Sequence, residues 1–325
     1  SALMWAAYES AECTKLLIDA KANIHVQDKF GKTALILACE NGNAASARVL
    51  VDAKADIHAK SRLYSSNSLM WAIRHCHAEC AKLLLDAKAD IQAEDEDGST
   101  ALMLATRHRD PACWNVLVNA NADIFAKGRL NGRTTLMSAA EYGNGNYVEA
   151  LVAAKADVNH QDADGNTALM LAALQFDYPA SWLQAAAAHE RIQLVRMLVD
   201  AKADINARNK NNDTALILAL SKRHDSCVQL LVDAKADLDV QSNTDGSTAL
   251  MIALCRVCYP NTGQNDTAIV QSLVDAKADL ALQDHSGMTA LMWAVNRDKS
   301  AWMHILLDPR AFAMPTAATH HRARK

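Results

Sequence analysis

Residues 165–172 read Gly-Asn-Thr-Ala-Leu-Met-Leu-Ala, and residues 198–207 read Leu-Val-Asp-Ala-Lys-Ala-Asp-Ile-Asn-Ala. Both strings recur along the chain, in step with each other. The leucine that follows Thr-Ala, or the variants Ser-Ala, Asn-Ser and Thr-Thr, recurs at intervals of 32, 34, 33, 34, 33, 47, 34 and 41 residues. Six of these intervals lie between 32 and 34 residues, and the two longer ones fit the same period with insertions. Such self-similarity indicates an architecture of stacked repeats.

Each repeat has the pattern of two short helices and a turn. The first helix follows a residue whose side-chain oxygen can accept an unpaired backbone N–H, a cap worth about 1 kcal/mol. The predicted capping residues are Ser1, Thr33, Asn67, Thr100, Thr134, Thr167, Thr214, Thr248 and Thr289. The second helix carries the apolar pair before each Asp-Ala-Lys-Ala-Asp string. A repeat this short cannot bury its apolar face alone, so neighbouring repeats must stack.

The period and the two strings together resemble the ankyrin repeat over residues 1 to 308, in about nine units. The resemblance implies an all-α solenoid of helix-turn-helix units with short hairpin loops, whose first helices line a concave groove. Insertions are expected near residues 174–193 and 257–266. Residues 309–325 are expected to form a flexible C-terminal tail.

Two departures from the family pattern concern the core and the backbone. Methionine replaces the family's histidine at Met4, Met70, Met103, Met137, Met170, Met251 and Met292. Because methionine fills irregular gaps, it predicts an apolar core stripe. Lysine replaces the family's glycine after the second helix at Lys21, Lys54, Lys88, Lys155, Lys202, Lys235 and Lys277. The resemblance implies a left-handed backbone there, which costs lysine about 1–2 kcal/mol relative to glycine.

Composition and motifs narrow the functional classes. The formal charge is −4 at pH 7, whereas a dedicated nucleic-acid-binding protein normally has a large basic excess. No apolar run reaches the roughly 18–20 residues of a membrane helix. The sequence has no nucleophile elbow, phosphate-binding loop or zinc-protease motif. We therefore predict a protein that is not an enzyme and that uses no cofactor and no nucleic acid.

The cysteines predict a core of free thiols. Four of them, Cys13, Cys80, Cys113 and Cys227, share a repeat position that is apolar in other repeats. Equivalent Cα atoms in helices about 8–10 Å apart are too distant for a disulfide, which needs less than about 7 Å. Free thiols favour an intracellular, reducing compartment. The start at Ser1, without an initiator methionine, is compatible with an upstream targeting segment.

Two short strings have metal-ligand residue types. Cys255-Arg-Val-Cys258 has no second Cys-x-x-Cys partner for a zinc site and no surrounding pattern of a redox domain. His75 and His77 lie two residues apart on a presumed helix end, so they do not share a face. We therefore predict no metal site.

Partner recognition is expected where the surface varies and the scaffold repeats. The tryptophans after the Leu-Met pair either anchor a partner or fill the groove wall. Basic residues after the first helices form either a patch that favours an acidic partner or ordinary solvated helix ends. Aromatic residues in the first insertion either bind a partner or fold back as a local lid. The candidate residues are Trp5, Trp71, Arg74, His75, Arg107, His108, Arg109, Tyr142, Phe176, Tyr178, Trp182 and Arg223.

Together these patterns predict a non-catalytic scaffold that binds a protein partner through the concave groove and the loop edge. A structural subunit that bridges neighbours in a permanent multiprotein assembly is the alternative. The family resemblance suggests a third role, as a substrate of asparagine hydroxylation. Asn159 and Asn206 lie in the preferred sequence pattern for that modification.

Overall fold

The computed structural model describes the backbone of residues 1–174, 181–255, 265–296 and 300–307. Side chains are described for the same residues except 181–188, 265–266 and 300–301. By their internal contacts the described helices form two compact bodies, divided between Ala203 and Asp204 and here called the N-terminal and the C-terminal body. The expected C-terminal tail, residues 309–325, lies outside the described residues. Extended structure in the described residues is limited to isolated bridges, so the chain is all-α as predicted.

The helices alternate between a first and a second helix in each repeat. Those of the N-terminal body are α1 (Ala2–Glu9), α2 (Ala11–Asp19), α3 (Ala34–Glu40), α4 (Ala44–Asp52), α5 (Ser68–Arg74), α6 (Ala78–Asp86), α7 (Ala101–Ala105), α8 (Ala112–Asn119), α9 (Thr135–Glu141), α10 (Gly145–Ala153), α11 (Ala168–Leu174) and α12 (Ser181–Asp200). Those of the C-terminal body are α13 (Ala215–Ser221), α14 (Asp225–Asp233), α15 (Ala249–Cys255), α16 (Asn265–Asp275), α17 (Ala290–Asn296) and α18 (Ser300–Leu306). Within each body, consecutive first helices contact one another, so the repeats stack side by side.

The predicted helix caps are confirmed at all nine positions. At each one, the side-chain oxygen accepts the backbone N–H three residues later, at 3.0–3.4 Å. The leucine two residues after the cap then enters the core in most repeats, and Leu35, Leu169 and Leu250 have no exposed surface. The same short segment therefore both caps its helix and packs into the core between repeats.

The predicted methionine stripe is confirmed at six positions. Met4, Met70, Met103, Met137, Met170 and Met251 are each at most 5% exposed. The prediction was wrong for Met292, which is 47% exposed. The reason is that α17 packs against α15 and α18, and its remaining face meets no further repeat among the described residues.

The predicted core thiols are buried at Cys80, Cys113 and Cys227, but the prediction was wrong for Cys13. Cys13 is exposed because its helix, α2, has a stacked second helix, α4, on one side only. No disulfide joins the cysteines that the structure describes.

The left-handed backbone predicted after the second helices is confirmed. The seven lysines at this position have φ between 63° and 72°, and Asn121, which occupies it once, has φ 60°. In this conformation the Cβ atom of any residue except glycine crowds the following carbonyl oxygen. Each lysine therefore strains the end of its repeat.

We expect Lys88→Gly to raise the free energy of unfolding by about 1 kcal/mol, because glycine adopts a positive φ without the Cβ clash. Thermal unfolding followed by circular dichroism measures the change, which corresponds to a rise of about 2–4 °C. Lys82→Gly is the matched control, since Lys82 is an exposed lysine inside α6. The control should lose about 1 kcal/mol. A lower melting temperature for Lys88→Gly would contradict this interpretation of the backbone.

Candidate functional site

Hairpin loops join successive repeats, and a side-chain oxygen closes most of them. Asp95 Oδ1 accepts the backbone N–H groups of Asp97 and Ser99 at 3.0 and 2.8 Å. The same arrangement occurs at Asp28, Asp162, Asn209 and Asp284. In the N-terminal body, hairpin residues pair with the C-terminal ends of α3, α5 and α9, through Lys32–Glu40, Asp95–Arg74 and Arg133–Glu141. Arg107, which follows α7, lies near Arg74 and beside Tyr142 on the same face. We call this face the groove.

Arg74, the last residue of α5, joins its helix to the hairpin of the next repeat. Its Nη2 atom lies 2.5 Å from Asp95 Oδ2, and its guanidinium lies 4.6 Å from the centre of the Tyr64 ring. The Asp95 side chain is 0% exposed, and that of Arg74 is 12% exposed. Burial and the nearby charge of Arg107 lower the pKa of Arg74, whereas Asp95 opposes the shift. The charge of Arg74 is thus compensated inside the groove.

Trp71 forms part of the groove wall. It is 4% exposed, and its Nε1–H donates to Ser61 Oγ at 3.0 Å. Lys32 Nζ lies 3.8 Å from the centre of the indole ring, and His75 stacks on the ring at 5.9 Å. This burial favours the wall-filling role over the anchoring role for Trp71. Trp5, in contrast, is 72% exposed and remains available to a partner.

Arg107 and Tyr142 lie side by side in the groove. The Arg107 guanidinium is 5.0 Å from the centre of the Tyr142 ring, and the Arg107 side chain is exposed. Burial raises the pKa of Tyr142, although the positive charge of Arg107 opposes the shift. Within the described residues Arg107 has no carboxylate partner, whereas Lys32 is held by Glu40 at 2.7 and 2.8 Å. Arg107 is therefore an uncompensated cation.

The other basic candidates have more varied surroundings. Arg109 forms a bidentate ion pair with Glu190 of α12. Its Nη1 and Nη2 atoms lie 2.8 and 2.6 Å from Glu190 Oε1 and Oε2, so much of the charge of Arg109 is neutralised. His108 is half-buried, and its Nε2 atom has no hydrogen-bond partner among the described residues. His75 is largely exposed, and the partial burial of its ring lowers its pKa against the opposing charge of Glu40. The predicted basic patch thus contains both paired and unpaired cations.

Of the four remaining candidates, one belongs to the other body and three have no described side chain. Arg223 belongs to the C-terminal body, where it is half-buried with a φ of 62°. Phe176 and Tyr178 fall outside the described residues. Trp182 lies in α12, but its side chain is also outside the described part of the chain.

The two asparagines singled out for modification are exposed and bond to the next loop along the chain. Asn159 Nδ2 donates to the carbonyl oxygen of Lys202 at 3.4 Å. Asn206 Oδ1 accepts the backbone N–H of Asp237 at 2.7 Å. Asp239 holds the same repeat position one unit later and accepts the backbone N–H of Asp279 at 2.7 Å. An oxygen acceptor at this position therefore links adjacent repeats.

We expect Asp239→Asn to stabilise the C-terminal body at pH 7. Burial raises the pKa of Asp239 against the Asp279 N–H, and the charges of Asp279 and Asp237 raise it further. A carboxyl whose pKa is raised on folding destabilises the fold above its unfolded pKa of about 3.9. The amide keeps the acceptor and removes the charge, so the free energy of unfolding should rise by about 0.5 kcal/mol, a small gain because the side chain is only partly buried and solvent screens its charge.

Urea unfolding at two pH values measures this effect. The gain should be present at pH 7 and absent near pH 3, where the aspartate is protonated in both the folded and the unfolded state. Asp164→Asn, at an exposed hairpin tip, is the control and should change little at either pH. A gain of equal size at both pH values would contradict the electrostatic origin.

Thiols from non-equivalent positions of adjacent repeats meet in the core, a contact that the repeat spacing did not predict. The hydrogen bond with Cys80, together with burial, raises the pKa of Cys39 well above its usual value. Burial and the neighbouring Cys76 raise the pKa of Cys113 to about 12. Cys39 and Cys113 are therefore protonated at neutral pH, which does not suit a nucleophile.

Metal-ligand side chains are not grouped into sets of three or more anywhere in the described residues. Cys258, the second residue of the Cys-x-x-Cys string, lies outside them. None of the described helices combines the length and the apolarity needed to cross a membrane.

Comparisons with known proteins agree with this architecture. The family model described as "Ankyrin repeats (3 copies)" matches residues 3–95, 61–128, 102–180 and 183–262. The crystal structure of the human ASB11 ankyrin repeat domain is 24% identical, with a TM-score of 0.60, and the match covers 73% of this chain and 99% of that one. The ankyrin repeat domain of Bcl-3, described as a unique member of the IkappaB protein family, is 27% identical, with a TM-score of 0.55. That match covers 71% of this chain and 97% of that one. No curated protein matches the chain.

Proposed function

Because the chain belongs to the ankyrin-repeat family, whose members are generally protein–protein interaction modules, we propose that it is a non-catalytic scaffold for a protein partner. The partner binds the groove of the N-terminal body and the adjoining hairpin edge. The scaffold supplies fixed positions for side chains, and recognition depends on the residues that differ from one repeat to the next.

The observation that carries the proposal is the exposed guanidinium of Arg107. It lies 5.0 Å from the Tyr142 ring and has no carboxylate partner in the described part of the chain. The other cations of the groove, Lys32 and Arg74, already have acidic partners within 2.8 Å. A carboxylate of the partner would form an ion pair with Arg107. Partner residues beside that carboxylate would contact the Tyr142 ring. The partner is therefore expected to be acidic where it meets the groove.

Affinity purification from the native source with the whole chain as bait tests this proposal. Arg107→Glu should reduce recovery of the partner about tenfold or more, because it places like charges in contact. Arg48→Glu is the matched control: the same substitution at an exposed arginine on α4, in the second-helix layer. Equal recovery with all three baits would overturn the groove contact.

A second candidate function is that of a subunit in a permanent multiprotein assembly, where the repeats bridge neighbours. The same purification separates the two functions. Co-purification of several proteins at a fixed stoichiometry, unaffected by salt, would favour the assembly. Recovery of one partner that high salt removes would favour the scaffold, since salt screens an exposed ion pair at Arg107.

A third candidate role is as a substrate of asparagine hydroxylation. Asn206 is exposed on a loop, which favours access, although its side-chain oxygen is engaged by the Asp237 N–H. Intact-mass measurement of the chain from cells that contain such a hydroxylase tests the role. A mass increase of one oxygen atom that disappears in Asn206→Ala or in Asn159→Ala would support it, and an unchanged mass would exclude it.

A further inference from the structure

Three hairpin tips of the N-terminal body carry a basic residue followed by a large apolar residue. The pairs are Lys29-Phe30, Arg62-Leu63 and Arg129-Leu130, here called the apolar–basic row. Their apolar side chains are 46%, 40% and 69% exposed, in that order. The equivalent pairs in the C-terminal body are Lys210-Asn211, Asn243-Thr244 and His285-Ser286, which lack a large apolar residue. The row is thus specific to one body rather than a general feature of the repeat.

Backbone and side-chain hydrogen bonds hold these tips in series. The Arg62 N–H donates to the carbonyl oxygen of Phe30 at 2.7 Å, and Asn131 Nδ2 donates to the carbonyl oxygen of Asp97 at 2.7 Å. Gly31, with a φ of 74°, permits the first approach, because a Cβ atom there would lie 2.8 Å from the Arg62 nitrogen. The tips are therefore pre-organised, which lowers the entropy cost of binding.

The charges along the row have a definite order. Lys29, Arg62 and Arg129 are exposed; the Arg129 side chain is 89% exposed, and its Nε atom lies 4.0 Å from Glu94 Oε2 in a loose surface ion pair. The tip between the second and third pairs is acidic, with exposed Glu96 and Asp97. The first four tips of the edge are therefore basic, basic, acidic and basic, and the fifth, at Ala163-Asp164, lies beyond the row. A uniformly anionic lipid surface does not match this order, because the acidic tip would be repelled.

We propose that the apolar–basic row binds an extended segment of a protein partner in which acidic residues lie beside apolar ones. Its charge order is acidic, acidic, basic, acidic, which complements the four tips. Extended chain advances about 3.3 Å per residue, and stacked repeats lie about 10 Å apart, so every third residue meets a new tip. The proposal rests on the proposed scaffold function and specifies the chemistry of the partner at the hairpin edge.

Peptide selection on the whole chain tests the proposal and does not require the partner to be identified. The probe is a phage-displayed library of random peptides about 12 residues long, enough to span four tips. Selected peptides should be enriched in acidic residues beside apolar ones, at a spacing of three. They should bind the variant Phe30→Ala/Leu63→Ala/Leu130→Ala at least tenfold more weakly, by fluorescence anisotropy. Asn211→Ala, at a polar tip of the C-terminal body, should bind as the wild type does.

A charge exchange sharpens the test. Lys29→Glu/Arg62→Glu should weaken the acidic peptides about tenfold, and it should bind peptides whose acidic residues are replaced by lysine. The side chains replaced in the triple alanine and charge-exchange variants are all exposed. Both variants should therefore keep the wild-type melting temperature, and measuring it checks that they fold. Equal binding by the triple alanine variant, selected peptides without acidic residues, or binding of phosphatidylserine vesicles instead of peptides would overturn the proposal.

The two proposals fail separately. If Arg107→Glu loses the native partner while the triple alanine variant binds the selected peptides normally, the row is not the docking site and the groove contact stands. If the partner is retained by Arg107→Glu but the peptides are lost by the triple variant, the row stands and the groove contact fails.

Discussion

Asp95→Ala is expected to lower the free energy of unfolding of the N-terminal body by about 3–5 kcal/mol, the cost of breaking a buried ion pair. The substitution leaves the Arg74 side chain, which is 12% exposed, without its acidic partner. It also removes the acceptor for the backbone N–H groups of Asp97 and Ser99. One side chain thus closes a hairpin and fixes it to the end of α5.

Urea unfolding of the whole chain, followed by circular dichroism, measures this loss. Asp97→Ala is the control, because Asp97 is exposed on the same hairpin, and it should change the stability by less than about 0.5 kcal/mol. Adding Arg74→Met to Asp95→Ala should recover part of the loss, since it removes the unpaired charge. Losses of equal size in Asp95→Ala and Asp97→Ala would show that the ion pair is not buried as described.

Leu50→Ala is expected to cost about 2–5 kcal/mol. Leu50 lies in α4 with no exposed surface, so truncation removes apolar contacts and leaves a cavity between stacked repeats. Leu16→Ala is the matched control, because Leu16 lies in α2, the preceding second helix, and is 62% exposed. The control should change the free energy of unfolding by less than about 0.5 kcal/mol.

Thermal and urea unfolding of the two leucine variants distinguish a shared core from independent helices. A large loss for Leu50→Ala and a negligible one for Leu16→Ala agree with burial between repeats. Similar small losses would mean that α4 contributes little to the core.

Much of the fold could be predicted because its signals are local. A threonine such as Thr167 caps the helix that begins at the next residue, and Leu169 then falls on the buried face. The left-handed backbone at Lys88 followed from its place at the end of a repeat, through the family resemblance. These features depend on residues only a few positions apart, which a repeated string shows directly.

Burial of a particular side chain depends on the neighbouring repeats, which the string does not show. Trp5 and Trp71 occupy the same position in their repeats, yet one is 72% and the other 4% exposed. Ser61, Lys32 and the Tyr64 ring cover Trp71, and no such cover exists for Trp5 in the described residues. The repeat position alone therefore allowed both rings either to anchor a partner or to fill the groove wall, and it could not distinguish the two roles.

The sequence also could not predict which charged residues form ion pairs with each other. Arg74 and Arg109 were predicted to share a basic patch with Arg107, but their acidic partners, Asp95 and Glu190, lie 21 and 81 residues away. The apolar–basic row was missed for a different reason. Its signal, a basic residue followed by a large apolar one at a hairpin tip, is visible only when the tips are aligned and their exposure is known.

Hydrogen–deuterium exchange of the whole chain, with and without the partner recovered by affinity purification, tests the account most directly. Peptides that contain Arg74, Arg107 or Tyr142, and those from the hairpin tips of the N-terminal body, should exchange more slowly in the complex. Peptides from the second helices α4 and α6 should exchange at the same rate with and without the partner. Protection confined to α4 and α6, with the groove unaffected, would contradict the claim that the groove and its hairpin edge form the binding surface.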